Sequence, residues 1–260
     1  GGFYVDSSAC ALHNHAVKNN KATAGGGGGV WLSGSVVSVV ADQGSQISSN
    51  EAQDGAGVYI GPLAVAATYT LSGAGSKMAS NVASGNGGAV YADGSHAGSA
   101  VSVTVTGGAV VSGNKVTKFG GAVYAANGVA VTVAGSSTIE ANEGEDGGGL
   151  YLLKAKECKV TSSTVQTNIA SNNGGGWYAD GSKITLTDTT VKNNTAAQHG
   201  GAGYMTVAVA GAAVPCVASL KGPSSKVEGN IATAGGGGAL FFASNTSGTV
   251  SSGTISNNTA

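Results

Sequence analysis

The sequence predicts an all-β chain folded as one parallel β-helix, a solenoid whose rungs stack along a common axis. Two marks recur in fixed order along the 260 residues, nine times each: an aromatic residue after a glycine cluster, and a bulky apolar residue three positions before an asparagine. An apolar stretch lies between them, and no window shows a sustained 3.6-residue period. These observations predict about nine rungs with three short strands each and essentially no helix.

The first mark ends a glycine-rich segment, as in the runs GGAVY and GGGLY. Glycine permits positive φ and close backbone approach, so its recurrence before the same strand predicts a corner of the coil. The repeat aromatics are Tyr4, Trp31, Tyr59, Tyr91, Tyr124, Tyr151, Tyr178, Tyr204 and Phe241.

The middle of each repeat often alternates apolar and polar residues. Examples are Val101-Ser-Val103-Thr-Val105, Ile184-Thr-Leu186 and Val207-Ala-Val209. Alternation with β-branched residues is typical of a strand with one buried face. The middle segment is therefore predicted to be the second strand of each rung.

The second mark predicts a ladder of asparagines along one corner. An asparagine there can adopt left-handed φ, and its amide can bond to the rungs on both sides. Identical side chains stacked in successive rungs form such ladders. The predicted ladder comprises Asn20, Asn50, Asn81, Asn114, Asn142, Asn168, Asn194, Asn230 and Asn258.

The spacing of the marks predicts a single domain over residues 1–260. The longest interval between aromatics runs from Tyr204 to Phe241 and holds Pro215 and Pro223, so a protruding loop is expected at about 210–225. The marks begin at residue 1 and run to residue 260, which predicts a coil without a cap at either end.

Composition excludes several classes of protein. Twelve lysines, no arginine and 13 acidic residues give a net charge of −1, which offers no basic face for nucleic acid or an anionic membrane. No apolar run approaches the ~20 residues of a membrane span. Charged residues make up 10% and hydrophobic residues 41%, a balance too apolar for a disordered chain.

The order of the two marks resembles the paired FxxN and GGA[ILV] repeats of the polymorphic outer membrane proteins, the autotransporter passengers of chlamydiae. Gly87-Gly88-Ala89-Val90 and Gly120-Gly121-Ala122-Val123 match the second motif, while Val, Ile or Met replaces Phe in the first. The resemblance implies a right-handed β-helix at a cell surface, with adhesive or structural roles.

No catalytic, cofactor-binding or metal site is predicted. The densest acids are either hydrated corner residues or a weak calcium site, and Asp93 and Asp180 recur in Tyr-Ala-Asp-Gly turns about 14 Å apart along the axis, too far for a carboxylate pair. His13 and His15 flank one residue and would share a strand face, without a third ligand nearby. The dense acids are Glu140, Glu143, Glu145 and Asp146.

Cysteines and sequons mark candidate covalent sites. Cys10, Cys158 and Cys216 are five and two rungs apart, roughly 24 Å and 10 Å, so no intrachain disulfide is expected. Buried thiols are favoured over bonds between subunits. Candidate N-glycosylation sites are Asn193, Asn245 and Asn257.

The sequence favours a structural function. We expect a secreted or cell-surface subunit that stacks head to tail with copies of itself into a filament, because open β-helix ends present unpaired strands. The alternatives are a surface adhesin that binds a host molecule or glycan, and a polysaccharide-active enzyme, for which the missing arginine removes the usual lyase pattern.

Overall fold

The computed structural model describes residues 1–62, 64, 66–96, 98, 100–207 and 216–260. Within those residues the chain forms strands and turns without any helix, and four parallel sheets run along its length. Sheets A, B and C each contain nine strands, and sheet D contains seven. The predicted parallel β-helix of about nine rungs is therefore confirmed.

Each rung passes through sheets A, B and C and then, from the second to the eighth rung, through sheet D; rungs are numbered 1 to 9 from their strand in sheet A. Sheet A comprises Phe3–Asp6, Val30–Ser33, Val58–Ile60, Val90–Asp93, Val123–Ala126, Leu150–Leu153, Trp177–Asp180, Gly203–Thr206 and Leu240–Phe242. Sheet B comprises Ala9–His13, Val36–Asp42, Ala66–Ser72, Ser102–Thr106, Ala130–Val133, Glu157–Thr161, Lys183–Thr187, Cys216–Lys221 and Thr246–Val250. Sheet C comprises Ala16–Lys18, Gln46–Ser48, Lys77–Ala79, Val110–Ser112, Thr138–Glu140, Thr164–Gln166, Thr190–Lys192, Lys226–Glu228 and Thr254–Ser256. Sheet D comprises Glu51–Ala52, Val82–Ala83, Lys115–Val116, Glu143–Gly144, Ile169–Ala170, Thr195–Ala196 and Ile231–Ala232.

The marks that define the repeat lie in register from rung to rung. In sheet A, for example, Tyr91 pairs with Tyr124, and in sheet C Val111 pairs with Ile139. Alternate residues of each strand point inward, so Val90 and Ala92 are buried while Tyr91 between them is half-exposed. The inward residues of sheets A, B and C form one continuous apolar core along the axis.

Sheet D was not predicted, so the expected three strands per rung become four in the middle of the coil. After each ladder asparagine the chain stays extended for two residues before it reaches the glycine corner, as in Lys115–Val116. The inward residue of these strands is mostly alanine, and the apolar signal is too short to distinguish a strand from a turn.

Part of the predicted loop at about 210–225 is regular structure. Cys216–Lys221 is the strand of rung 8 in sheet B, and Pro223 lies in the turn that follows it. Residues 210–215 lie outside the described part of the chain, as do residues 208 and 209 of the predicted middle strand. Pro223 therefore does not mark a loop that leaves the coil, because it lies in an ordinary turn between two sheets.

The glycine corners have two separate causes. Gly147 has φ of 63°, and a Cβ atom there would meet the carbonyl oxygen of Leu150 at 2.3 Å. The next residue, Gly148, has ordinary φ, but a Cβ atom would meet the carbonyl oxygen of Ile169 in the following rung at 2.3 Å. The first glycine therefore serves the turn, and the second allows two rungs to approach each other.

The left-handed corner residue precedes the ladder asparagine, which corrects the prediction that the asparagine itself adopts positive φ. All nine preceding residues have φ between 52° and 63°. They are Asn19, Ser49, Ser80, Gly113, Ala141, Thr167, Asn193, Gly229 and Asn257. This conformation turns the chain between sheets C and D and aims the following asparagine inward.

Candidate functional site

The asparagine ladder is confirmed in all nine rungs. The backbone N–H and the side-chain Nδ2 of Asn114 both donate to Oδ1 of Asn142, at 3.0 and 2.9 Å. Nδ2 of Asn114 also donates to the carbonyl oxygen of Met78 in the preceding rung, at 3.2 Å. Each interior amide therefore links three rungs, and the same pattern repeats from Asn20 to Asn258.

The ladder has a direction. In every step the donors belong to the earlier rung and the accepting Oδ1 belongs to the later one. The seven asparagines between the ends are fully buried, so these bonds replace contacts with water that the amides cannot make. Among the described residues, Oδ1 of Asn20 accepts no ladder bond and the backbone N–H of Asn258 donates none.

The repeat aromatics form a stack on the outer side of sheet A. From Tyr59 to Phe241, successive ring centroids are 4.8 to 5.4 Å apart and nearly parallel. Trp31 breaks the pattern, because its ring meets Tyr59 edge-on at 5.0 Å. The rings cover one another's faces in the regular part, so they present edges and hydroxyl groups to solvent. Such pairs contribute about 0.5–1.5 kcal/mol each beyond area burial.

The environment of the stack keeps its phenols protonated. Burial raises the pKa of Tyr124 to about 12, with a further contribution from the nearby carboxylates of Asp93 and Asp54. Burial likewise raises the pKa of Tyr91 and Tyr178. The stack is therefore a neutral, polar-edged stripe.

A second polar column lies at the corner before the glycines, and its direction is opposite to that of the ladder. Backbone N–H groups of Asn86 and Asn173 donate back to Oδ1 of Asp54 and Asp146 in the preceding rungs, at 2.7 and 2.9 Å. Phe119 interrupts the column and stacks on a ring of the aromatic stripe. Oδ1 of Asn86, in the rung before Phe119, is buried without a partner among the described residues.

The remaining candidate residues do not converge on one site. Glu140 accepts a bond from Gln166, Glu143 pairs with Lys115, and Asp146 belongs to the second polar column. Burial raises the pKa of Asp146, so it is not the hydrated acid that the corner position suggested. Asp93 accepts a bond from Asn127, and the strands place Asp93 and Asp180 three rungs apart.

The histidine prediction is wrong in its geometry. His13 ends a strand of sheet B, and Asn14 with φ of 49° turns the chain before His15. The two rings therefore do not share a strand face, and Nδ1 of His13 pairs with Asp42 at 2.5 Å. Over the described residues, no group of three or more His, Cys, Asp or Glu side chains is placed to hold a metal ion.

Two of the three cysteines are buried as expected, whereas Cys10 is only partly buried. All three thiols are free, with Cys158 and Cys216 buried, and burial raises the pKa of Cys158 to about 12. Asn193, Asn245 and Asn257 are all exposed at turns of positive φ.

Two openings among the described residues are mainly apolar. One, of about 390 Å³, is the mouth of the core at rung 9 and is lined by Leu220, Leu240 and Ile255. The other, of about 190 Å³, lies where the aromatic stack is broken, between Trp31 and Tyr59. No helix of the described residues is long and apolar enough to cross a membrane.

One packing relation was not predicted from the sequence. Trp177 is fully buried in the core of rung 7, and Gly203 occupies the same column of rung 8. A Cβ atom on Gly203 would lie 2.0 Å from the indole ring, so this glycine makes room for the tryptophan. The signal in the sequence was the run GGAGY, which replaces the usual apolar residue before the aromatic by glycine.

Comparison with known proteins agrees with this geometry. The family model described as the right-handed β-helix region matches residues 95–260, which is more than half of the chain. No curated protein and no solved structure matches the chain. The chain belongs to the right-handed β-helix family.

Proposed function

We propose that the chain is a structural segment of a secreted or cell-surface filament, in which coils stack end to end. The observation that carries this proposal is the directional asparagine ladder. In such a stack the N–H of Asn258 would donate to Oδ1 of Asn20 on a following copy, in the direction that every step of the ladder has, and the strands would continue in the same register. A heterologous contact of this kind builds an open filament.

The apolar mouth at rung 9 supports the same contact. Ile255 belongs to the inward column of sheet C, and its side chain is 44% exposed. In a stacked copy, Val17 would occupy the next position of that column. Burying apolar side chains of this size stabilises an interface by roughly 1.5–3 kcal/mol each.

Electron microscopy and sedimentation of the purified 260-residue chain test the proposal. We expect unbranched filaments with an axial repeat of about 43 Å, from nine rungs of ~4.8 Å. Ile255→Lys should abolish assembly, whereas Val36→Lys, at a side chain that is 67% exposed on sheet B, should not. Dispersed monomers of the parent chain at high concentration, or filaments of the Ile255→Lys variant, would contradict it.

The resemblance to polymorphic outer membrane proteins supports placing the filament at a cell surface. Their FxxN and GGA[ILV] repeats correspond to the ladder and the glycine corner, which hold the rungs together in this chain. Surface labelling of intact cells with antibodies against the chain would test the location.

A second candidate function is ligand binding by an adhesin. The pocket between Trp31 and Tyr59 is also lined by Ser33 and Pro62, so it offers aromatic residues and one polar residue to a small ligand such as a sugar. Trp31→Ala should then remove binding to glycans in an array, while Tyr178→Ala in the regular stack should retain it. Equal binding by both variants would exclude this pocket.

A further inference from the structure

The outer side of sheet D carries a patterned column of exposed side chains. Its members lie in register in rungs 1 to 6 and form what we call the sheet D column. In chain order they are Lys21, Glu51, Val82, Lys115, Glu143 and Ile169. The order basic, acidic, apolar occurs twice along the column. The two apolar side chains, Val82 and Ile169, are each 47% exposed.

The surroundings of the column permit close approach. Lys21 pairs with Glu51 and Lys115 with Glu143, and all four side chains are at least 44% exposed. A groove of about 450 Å³ lies beside Val82, and its lining outside the column includes uncharged polar side chains. These residues are Thr23, Gln53, Ser84 and Thr117.

We propose that the sheet D column binds a second copy of the chain, antiparallel to the first, about a two-fold axis at Val82. Reversal about rung 3 places rung 1 opposite rung 5 and rung 2 opposite rung 4. Lys21 then faces the partner's Glu143, and Glu51 faces the partner's Lys115. Val82 meets the partner's Val82 at the centre, so a contact between identical surfaces is complementary in charge at every rung.

Other arrangements of two copies are less complementary. A parallel pair in register would set each lysine against the same lysine of the partner. An antiparallel pair shifted by three rungs would set Val82 against the partner's Ile169 and would retain only the pairs of Lys115 with Glu143. The arrangement centred on Val82 forms four ion pairs between the copies.

The contact is small, which determines how it must be measured. Its outermost pairs are four rungs apart, about 19 Å, and exposed ion pairs contribute at most about 1 kcal/mol each. Association is therefore weak for a single pair of coils. It would be strengthened by repetition along a fibre, but the pairing itself does not depend on end-to-end stacking.

Cross-linking captures a weak symmetric contact. Val82→Cys is introduced with Cys10→Ser, which leaves only the buried Cys158 and Cys216 as other thiols. A bis-maleimide whose reach matches the ~10 Å separation of packed sheets should link two copies through position 82. The control is Ile231→Cys in the same background, because Ile231 is similarly exposed on sheet D but has no equivalent opposite it.

Charge exchange separates the contact between copies from the pairs within each copy. The double variant K21E/E51K preserves the pair within the chain but sets like charges opposite the partner's Glu143 and Lys115. The yield of dimer through position 82 should fall at least tenfold. The fourfold variant K21E/E51K/K115E/E143K restores opposite charges and should recover the yield.

Three results would overturn the proposal. These are equal linking at positions 82 and 231, an unchanged yield in the double variant, and no recovery in the fourfold variant when its thermal unfolding matches that of the parent. Adding Ile255→Lys to every protein suppresses end-to-end stacking. A loss of filaments with retention of the position 82 dimer would then show that the two contacts are independent.

Discussion

Removing one interior amide of the ladder should destabilise the coil far more than removing a charged neighbour. The Asn142 side chain accepts bonds from the N–H and Nδ2 of Asn114, at 3.0 and 2.9 Å. It donates to the carbonyl oxygen of Val111 at 3.1 Å and to Oδ1 of Asn168 at 2.9 Å. Asn142→Ala therefore removes four hydrogen bonds from a fully buried site.

The expected magnitude follows from the groups left behind. The substitution leaves the buried N–H of Asn114 without its partner, which costs about 1–3 kcal/mol, and it removes the other three bonds of the amide, worth about 0.5–1.5 kcal/mol each. The free energy of unfolding should fall by about 2–4 kcal/mol. Glu140 lies two positions earlier on the outer side and accepts one bond from Gln166. Glu140→Ala should cost under about 1 kcal/mol.

Chemical denaturation of both variants, followed by circular dichroism, measures the difference between their free energies of unfolding. Equal losses for Asn142→Ala and Glu140→Ala would refute the ladder as a source of stability. Asn142→Asp adds a second test, the pH dependence of stability, because burial raises the pKa of the introduced carboxyl. Its stability should be highest at low pH and should fall as pH rises through that raised pKa.

Three further outcomes are expected. Ala141→Gly should raise the free energy of unfolding by about 0.5–1 kcal/mol, because residue 141 has φ of 53°, whereas Gly113→Ala at the same corner should lower it by a similar amount in thermal denaturation. Gly203→Ala should cost about 1–3 kcal/mol through its clash with Trp177, and adding Trp177→Leu should recover part of that loss in denaturant titrations. In spectrophotometric titration, Tyr124 should ionise near pH 12 rather than at its ordinary value near 10. Because tyrosine ionises first in the unfolded chain, the stabilisation should be complete below about pH 10 and should fall as pH rises towards 12. Ionisation of every tyrosine near pH 10 in the folded protein would contradict the buried stack.

The periodic part of the sequence predicted the periodic part of the structure. The asparagines and the aromatics were placed correctly in every rung because each mark recurs at one position of the strand, and parallel stacking brings equal positions together. That Cys158 and Cys216 do not form a disulfide followed from counting rungs. These predictions needed only the number of marks between two residues.

The sequence predictions failed for residues whose orientation depends on the local turn or on one neighbouring side chain. Asn14 carries a local φ that separates His13 from His15, and proline content did not distinguish a loop from the strand Cys216–Lys221. The indole of Trp177 fits because Gly203, one rung later, has no side chain. A search for recurring residues overlooks such a position.

The sequence by itself determined the fold, the rung count, the asparagine ladder and the alignment of the repeat aromatics, because backbone stacking at a fixed spacing turns a linear repeat into columns. Only the tertiary structure decided sheet D, the left-handed residue before each asparagine, and the charge order along the sheet D column. Repeats of 26 to 37 residues differ in turn length, so neighbours such as Glu51 and Val82 are 31 positions apart while Glu143 and Ile169 are 26 apart. The register between such residues is fixed by hydrogen bonds between rungs, and those bonds form only when neighbouring rungs stack.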